Sequence, residues 1–429
     1  MSSTPNSSTK LPSRKAEDYV NVTRFISQNH FLTEAKKIKK ESPFYKTSDF
    51  FTKTVWSWLY FYLQSRFGPR CKYPQYILPE TGVYKIDEIP ELKEAPISLV
   101  ICSDWATDTP ESFAIAEKMR QHDPAFTVHV GDTYYVGAPH EIKRNFTNEG
   151  SPWVRGKAGS FALLGNHEMY ARGIAFFKYL LPSLGLKDEQ GKYLKQKAGY
   201  FCLETNHWRI LGLDTGFHSI GIPLLEFISW FSPDGRMDKT LLNWLEKSVN
   251  LGDPNDKRGI LVLTHHQYLS AFNEEEFTRP AKQLAKLLGT TRKIIWLWGH
   301  EHKFTMYEKT GIKDGITAYG RCIGHGGTPV ELDAKSFKFN AKKNGYGKLV
   351  LKDDRENKIV NKNRLGHNGY ALLALHKENL TISYCDEEAI LLTEQWRVEP
   401  DGNIIGKIDI PDHCALKTEP GKEWEDLVK

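Results

Sequence analysis

The residues able to do chemistry fall in five short clusters. Asp104 stands in Ser103-Asp104-Trp105-Ala106, Asp132 in Gly131-Asp132-Thr133-Tyr134-Tyr135, and Asn166 with His167 in Gly165-Asn166-His167-Glu168. His265 and His266 follow Thr264, and His300 and His302 stand in Gly299-His300-Glu301-His302. Carboxylates, an amide, a phenol and imidazoles are hard or borderline donors, and with no thiolate among them they suit a pair of divalent or trivalent metals. Singly, each cluster has a plainer reading: an Asp after a strand is often a helix cap, and a His-x-His pair can be a surface accident. Five clusters in chain order, each behind an apolar run, outweigh that reading. Gly131, Gly165 and Gly299 each precede a donor, where a chain leaving a strand turns sharply with its backbone close to another group.

The elements that must position these donors are short and apolar. Ile97–Cys102, Phe126–Val130, Ser160–Leu164, Trp208–Leu213, Gly259–Leu263 and Lys293–Trp298 read as strands. Between the first two, Pro110–His122 has helical spacing behind a Thr109 cap. Strand, helix, strand repeats predict an α/β sheet, and functional groups in such sheets collect where strands end. Tyr370–His376, Leu380–Cys385 and Ile390–Val398 predict a β-rich finish, with a turn at Pro400-Asp401-Gly402. His129, within a strand, and His207, in a turn, are read as structural.

Composition sets the outer limits. The 429 residues are 40% hydrophobic and 26% charged, the profile of a globular chain. The longest apolar run, Val55–Leu63, falls short of the roughly 20 residues a membrane-spanning helix needs. The first 20 residues lack the apolar core of a signal peptide, so the expected compartment is the cytoplasm. Six scattered cysteines with no C-x-x-C pair are expected to be reduced thiols. The net charge of +5 is uneven, because residues 335–364 carry ten Lys/Arg against Asp353, Asp354 and Glu356. The remainder is therefore slightly acidic, and a globally basic nucleic-acid binder is not indicated. Residues 1–15 read as disordered, and Phe25–Lys40 and a second segment from Ser48-Asp49 to about Phe67 as helical. The second is apolar on more than one side, as a helix clamped against the body would be.

In order and type, these blocks resemble those of the calcineurin-like metallophosphoesterases, and within them most of all the purple acid phosphatases. The resemblance covers about residues 97–400, including Leu213–Thr215 and Leu242–Glu246, while residues 1–95 match no known pattern. It implies a four-layer α/β/β/α sandwich over residues 96–400, with a basic insertion at 330–368, an N-terminal helical extension over 1–95 and a C-terminal tail at 401–429. It also implies two metal ions, with Fe, Zn and Mn as candidates. Asp104, Asp132, Tyr135 and His302 would surround one; Asp132 as the bridge, Asn166, His265 and His300 would hold the other. His167, free of metal, would be the catalytic group facing substrate. Asn166, and His325 in the glycine-rich run Cys322–Pro329, would contact substrate, and His266 would support its neighbour.

Two departures from the family pattern matter. Ala106 stands where many members have an imidazole, with Tyr135 at the compensating position. The run Gly131-Asp132-Thr133-Tyr134-Tyr135-Val136-Gly137 lacks the acidic residue and Arg of the protein phosphatase branch. The implied activity is hydrolysis of phosphoesters, foremost phosphomonoesters, by metal-activated hydroxide attack on phosphorus. The alternatives are a phosphodiesterase or nuclease on the same site, with the basic stretch guiding a polyanion, or a scaffold that keeps the fold without activity. A nucleic-acid partner enters only with the nuclease alternative.

Overall fold

The computed structural model describes residues 71–220 and 233–429, apart from 94 and 361. The helices expected over 25–40 and 48–67, and the Val55–Leu63 run, lie outside the described residues.

The apolar runs are strands: Ile97–Cys102 (β1), Phe126–His129 (β2), Gly159–Ala162 (β3), Trp208–Gly212 (β4), Gly259–Thr264 (β5) and Lys293–Trp298 (β6). Thr317–Ile323 (β7), Gly369–His376 (β8), Asn379–Asp386 (β9), Ile390–Val398 (β10) and Ile404–Asp409 (β11) follow. One sheet runs β11-β10-β9-β8-β1-β2-β3 and ends at Gly185–Leu186. The other runs from Val83–Lys85 through Phe201–Glu204, β4, β5, β6 and β7 to Phe304–Tyr307 and Leu349–Lys352. β1, β2 and β3 are parallel neighbours, as are β4, β5, β6 and β7. Each sheet therefore presents a row of strand carboxyl ends.

Strand periodicity sorts side chains into layers. Leu99 and Ile101 of β1 enter a core shared with Leu261 and Leu263 of β5 and Ile295 and Leu297 of β6, which fills the space between the sheets. Val100 and Cys102 face the other way, toward Ile115 and Met119 of the helix Pro110–Gln121 (α1). On the outside of the second sheet, Val262 and Trp296 meet the apolar stripes of Lys239–Lys247 (α2) and Thr278–Leu288 (α3). These cores separate mixed sheets flanked by helices, an arrangement consistent with the sandwich that the sequence resemblance implies. Thr109 caps α1 by accepting from Ser112 N, and Pro110 starts it where a missing N–H costs nothing.

The sheets are also joined by a buried ion pair. Arg321 of β7 donates to Glu394 Oε1 of β10 from Nε at 2.9 Å and Nη2 at 2.6 Å. Nη1 donates to the Tyr307 carbonyl and Nη2 to that of Leu427, so this side chain also ties down the chain end. Tyr384 and Trp396 donate to Glu394 Oε2.

The basic segment is stitched into the body rather than held out from it. Lys348, Arg355, Lys358 and Arg364 pair with Glu308, Asp386, Glu111 and Asp333, all carboxylates from outside the segment. All six cysteines are free thiols. No helix among the described residues is long and apolar enough to cross a membrane.

Removing one member of a buried, hydrogen-bonded ion pair strands its partner, so Arg321→Met should lower stability by about 3–5 kcal/mol in urea unfolding. Arg321→Met with Glu394→Leu should recover much of that loss. A double variant no more stable than the single would refute the stranded-charge explanation.

Candidate metal centre

Every donor cluster sits just beyond a strand carboxyl end: Asp104 after β1, Asp132 after β2, Asn166 and His167 after β3, His265 and His266 after β5, His300 and His302 after β6. Asp104, Asp132 and His300 have φ of 56°, 68° and 65°, the left-handed region that residues with a Cβ seldom adopt. Such conformations persist where the surroundings over-determine them, and functional sites are where they cluster. Two glycines permit the close approach. A Cβ on Gly165 would lie 2.1 Å from Asp132 Oδ1, and one on Gly299 would lie 1.9 Å from Ser103 Oγ and 2.5 Å from Asp104 Oδ2.

Asp104 and Asp132 are buried side by side, joined through one phenol. Tyr134 Oη is 2.8 Å from Asp104 Oδ1, 3.1 Å from Asp132 Oδ2 and 2.9 Å from His302 Nε2. Asp104 Oδ2 accepts from Ser103 Oγ at 2.7 Å and from the His300 backbone N–H at 2.9 Å. Asp132 Oδ1 accepts the His167 N–H at 2.9 Å and lies 3.2 Å from His265 Nε2. Asn166 Oδ1 is 3.1 Å from the same Nε2, while His265 Nδ1 faces the Val130 carbonyl at 2.9 Å. His167 Nδ1 is 2.7 Å from the Tyr135 carbonyl, its Nε2 is 3.7 Å from Asp132 Oδ2, and its ring packs against Tyr134.

Two carboxylates outside this set hold the turns in place. Glu168 Oε2 accepts the backbone N–H groups of Asp132 and Gly165. Glu141 accepts those of Tyr135, Val136 and Ala138. The last residue of Gly-Asn-His-Glu thus orients the backbone on both sides of the site. Burial, and then the neighbouring Asp132, push Glu168 up to about 7.

The electrostatics call for a cation. Burial opposes the charged form of Asp132, but His265 and then His167 outweigh it and hold this carboxyl well below the usual range. For Asp104, burial is likewise outweighed, chiefly by the hydrogen bond from His302. In return, Asp132 overcomes the effect of burial on His265 and raises it to about 9. Among the described residues, no Lys or Arg pairs with either carboxylate, and imidazoles are their only ion-pair partners. Buried charge must be paired. Two groups of donors meet that need: Asp104, Asp132 and His265 place one ligand atom each within 4.8 Å of one another, and so do His265, His266 and His300. The shared member is His265. The donor set and its charge therefore fit metal ions.

The structure departs from the sequence-based expectation at two residues. The phenol oxygen among the carboxylates is that of Tyr134, and Tyr135 meets the site through its backbone carbonyl on His167. His325 is buried with its ring stacked on Phe304, and its carbonyl accepts from Asn368 and Gly369. The glycine-rich run contacts the site through backbone and one hydroxyl: Gly326 N donates to Ser103 O, and Thr328 donates from N and Oγ1 to Asp104 O. His129 lies in a box of Trp105, Phe146 and Trp153.

Residues 97–304 match the family model described as calcineurin-like phosphoesterase. Solved structures similar to this chain include GAP50, the anchor in the inner membrane complex of Plasmodium. It is 14% identical, with a TM-score of 0.43 over 71% of this chain and 90% of that one. PhoD is 10% identical, with a TM-score of 0.44 over 77% and 75%. The calcineurin-like phosphoesterase YfkN from Bacillus subtilis is 12% identical, with a TM-score of 0.24 over 74% and 91%. No curated protein matches the chain.

Asp214, in the turn after β4, accepts the Gly216 and Phe217 N–H groups at Oδ1. Burial outweighs these bonds and pushes its carboxyl up to about 7. The folded protein therefore keeps this proton up to about pH 7, whereas an unfolded chain releases it near pH ~3.9. The folded state binds more protons across that window, so this group makes stability fall as pH rises through it. Asp214→Asn keeps the Oδ1 acceptor and should flatten the decline, read as urea midpoints between about pH 4 and 7. An unchanged slope would mean that Asp214 is ionised in the folded protein.

Proposed function

We propose that the protein is a dinuclear metal-dependent phosphoesterase acting foremost on phosphomonoesters. The observation that carries this reading is the burial of Asp104 and Asp132 in contact with one phenol and several imidazoles, with no Lys or Arg ion pair among the described residues. Asp104, Asp132, Tyr134 and His302 would hold one ion, and Asp132, Asn166, His265 and His300 the other. Metals in such a centre supply Lewis acidity to phosphoryl oxygens and lower the pKa of water. An anionic phenolate is a hard donor suited to a trivalent ion such as Fe(III), while a position rich in imidazole suits Zn. This supports the purple-phosphatase-like reading, with the phenol moved to Tyr134.

His167 is the group that handles the leaving oxygen. Its Nδ1–H donated to the Tyr135 carbonyl fixes the ring and leaves Nε2 as the atom that exchanges a proton; burial holds this imidazole below its usual range, and Asp132 is the neighbour that favours the protonated form the role needs. A general acid placed this way contributes roughly 10²–10⁴ in rate. Gly165 and Gly299 keep side chains out of the space next to the carboxylates, and Glu168 and Glu141 hold the turns that aim the donors. The pairing of Lys348, Arg355, Lys358 and Arg364 with local carboxylates weighs against a polyanion guided by the basic segment, and so favours a small phosphoester.

Chelator-treated protein should hydrolyse an activated phosphomonoester only after metal is restored, and Asp132→Ala should remain inactive at any metal concentration. His167→Ala should retain its metal and lose roughly 10²–10⁴ in rate, more for poor leaving groups than for good ones. Equal losses across a leaving-group series would exclude the proton-donor role. In iron-loaded protein, a visible phenolate-to-iron band should vanish in Tyr134→Phe and persist in Tyr135→Phe, and the reverse pattern would return the ligand role to Tyr135.

A further inference from the structure

His266 directly follows a proposed ligand and is itself 1% exposed. Its Nδ1 lies 3.0 Å from Thr215 Oγ1, and the same hydroxyl accepts the His266 backbone N–H at 3.1 Å. A threonine hydroxyl has two lone pairs and can accept both N–H groups in the tautomer that carries the ring proton on Nδ1. Nε2 is then left with a free lone pair. That atom is buried and has no hydrogen-bond partner among the described residues. Leaving a buried polar atom unmatched is costly, so a structure that keeps one here calls for a compensating partner.

The surroundings indicate what that partner is. The His266 ring centroid lies 4.7 Å from that of His300 and 4.8 Å from that of His265, with Phe277 at 4.4 Å. One nitrogen from each of His265, His266 and His300 lies within 4.8 Å of the other two. Imidazole nitrogens bind a zinc-type ion at about 2.0–2.1 Å, so three this close can converge on one ion with small side-chain shifts. A merely supporting histidine would hydrogen-bond to a ligand, yet the side-chain hydrogen bond His266 makes is to Thr215.

We propose that His266 Nε2 is a further ligand to the metal held by His265 and His300, giving that position three imidazoles beside Asn166 and Asp132. The proposal rests on the two-metal reading above and sharpens it. A position with three imidazoles discriminates against Mg and Mn, which prefer oxygen donors, in favour of Zn, Co or Fe. Thr215 becomes the residue that fixes the tautomer of the added ligand.

Cobalt(II) alone, added to the chelator-treated full chain, gives hyperfine-shifted exchangeable proton signals from the N–H of each ligating imidazole. Four are expected in the wild type, from His265, His266, His300 and His302, and His266→Gln should lose one while still binding cobalt. Thr215→Val leaves the ring in place, so it should keep all four and move one, which provides the test if His266→Gln does not fold. Three signals in the wild type, or an unchanged set in folded His266→Gln, would overturn the proposal and leave the two-metal reading intact. A wild type that binds no cobalt would overturn the two-metal reading itself.

Discussion

The architecture turns on one constraint: two carboxylates, Asp104 and Asp132, are buried within reach of the same phenol oxygen. Alone in a low-dielectric interior they would repel, and one would take up a proton. Imidazoles hold both ionised instead, His265 and His302 from the other sheet and His167 from the same one, and the cost of burying the pair is transferred to whatever cation the centre contains. His265, raised to about 9 beside Asp132, shows how strong that demand is. A proton on His265 and a metal at the same spot are competitors, so metal uptake should release protons and weaken as pH falls.

Bringing the carboxylates together consumes conformational freedom around them. Three residues of the centre are in the left-handed region, two glycines admit contacts that a Cβ would block, and Glu168 and Glu141 bind backbone N–H groups to hold the turns. None of this is sustainable on a loose scaffold. The parallel strands supply the rigid ends, their mutual core fixes their spacing, and the Arg321–Glu394 pair ties the sheets across that core.

Much of this was legible in the sequence, for physical reasons. Strands buried on both faces read as unbroken apolar runs, and the observed limits of β1, β5 and β6 fall within a residue of those runs. The donors stood out because each cluster follows such a run. What the sequence does not encode locally is the path of a turn. The sequence reading points to Tyr135, three residues after Asp132, whereas the turn places the Tyr134 phenol against the carboxylates. The glycine-rich run reaches the centre through Gly326 backbone and through the backbone and hydroxyl of Thr328, while the His325 ring stacks on Phe304. Long-range pairs such as Arg321 with Glu394, 73 residues apart, leave no periodic signal at all. The basic stretch carries an excess of charge, and the pairing of Lys348, Arg355 and Lys358 with Glu308, Asp386 and Glu111 is visible only in three dimensions.

The central claim is that Asp132 bridges two metal ions, and anomalous X-ray scattering from crystals of the zinc- or iron-loaded protein tests it most directly. Two peaks about 3.5–4 Å apart are predicted, both within bonding distance of the Asp132 carboxylate. A single peak there, or metal bound only away from Asp132, would contradict the dinuclear centre.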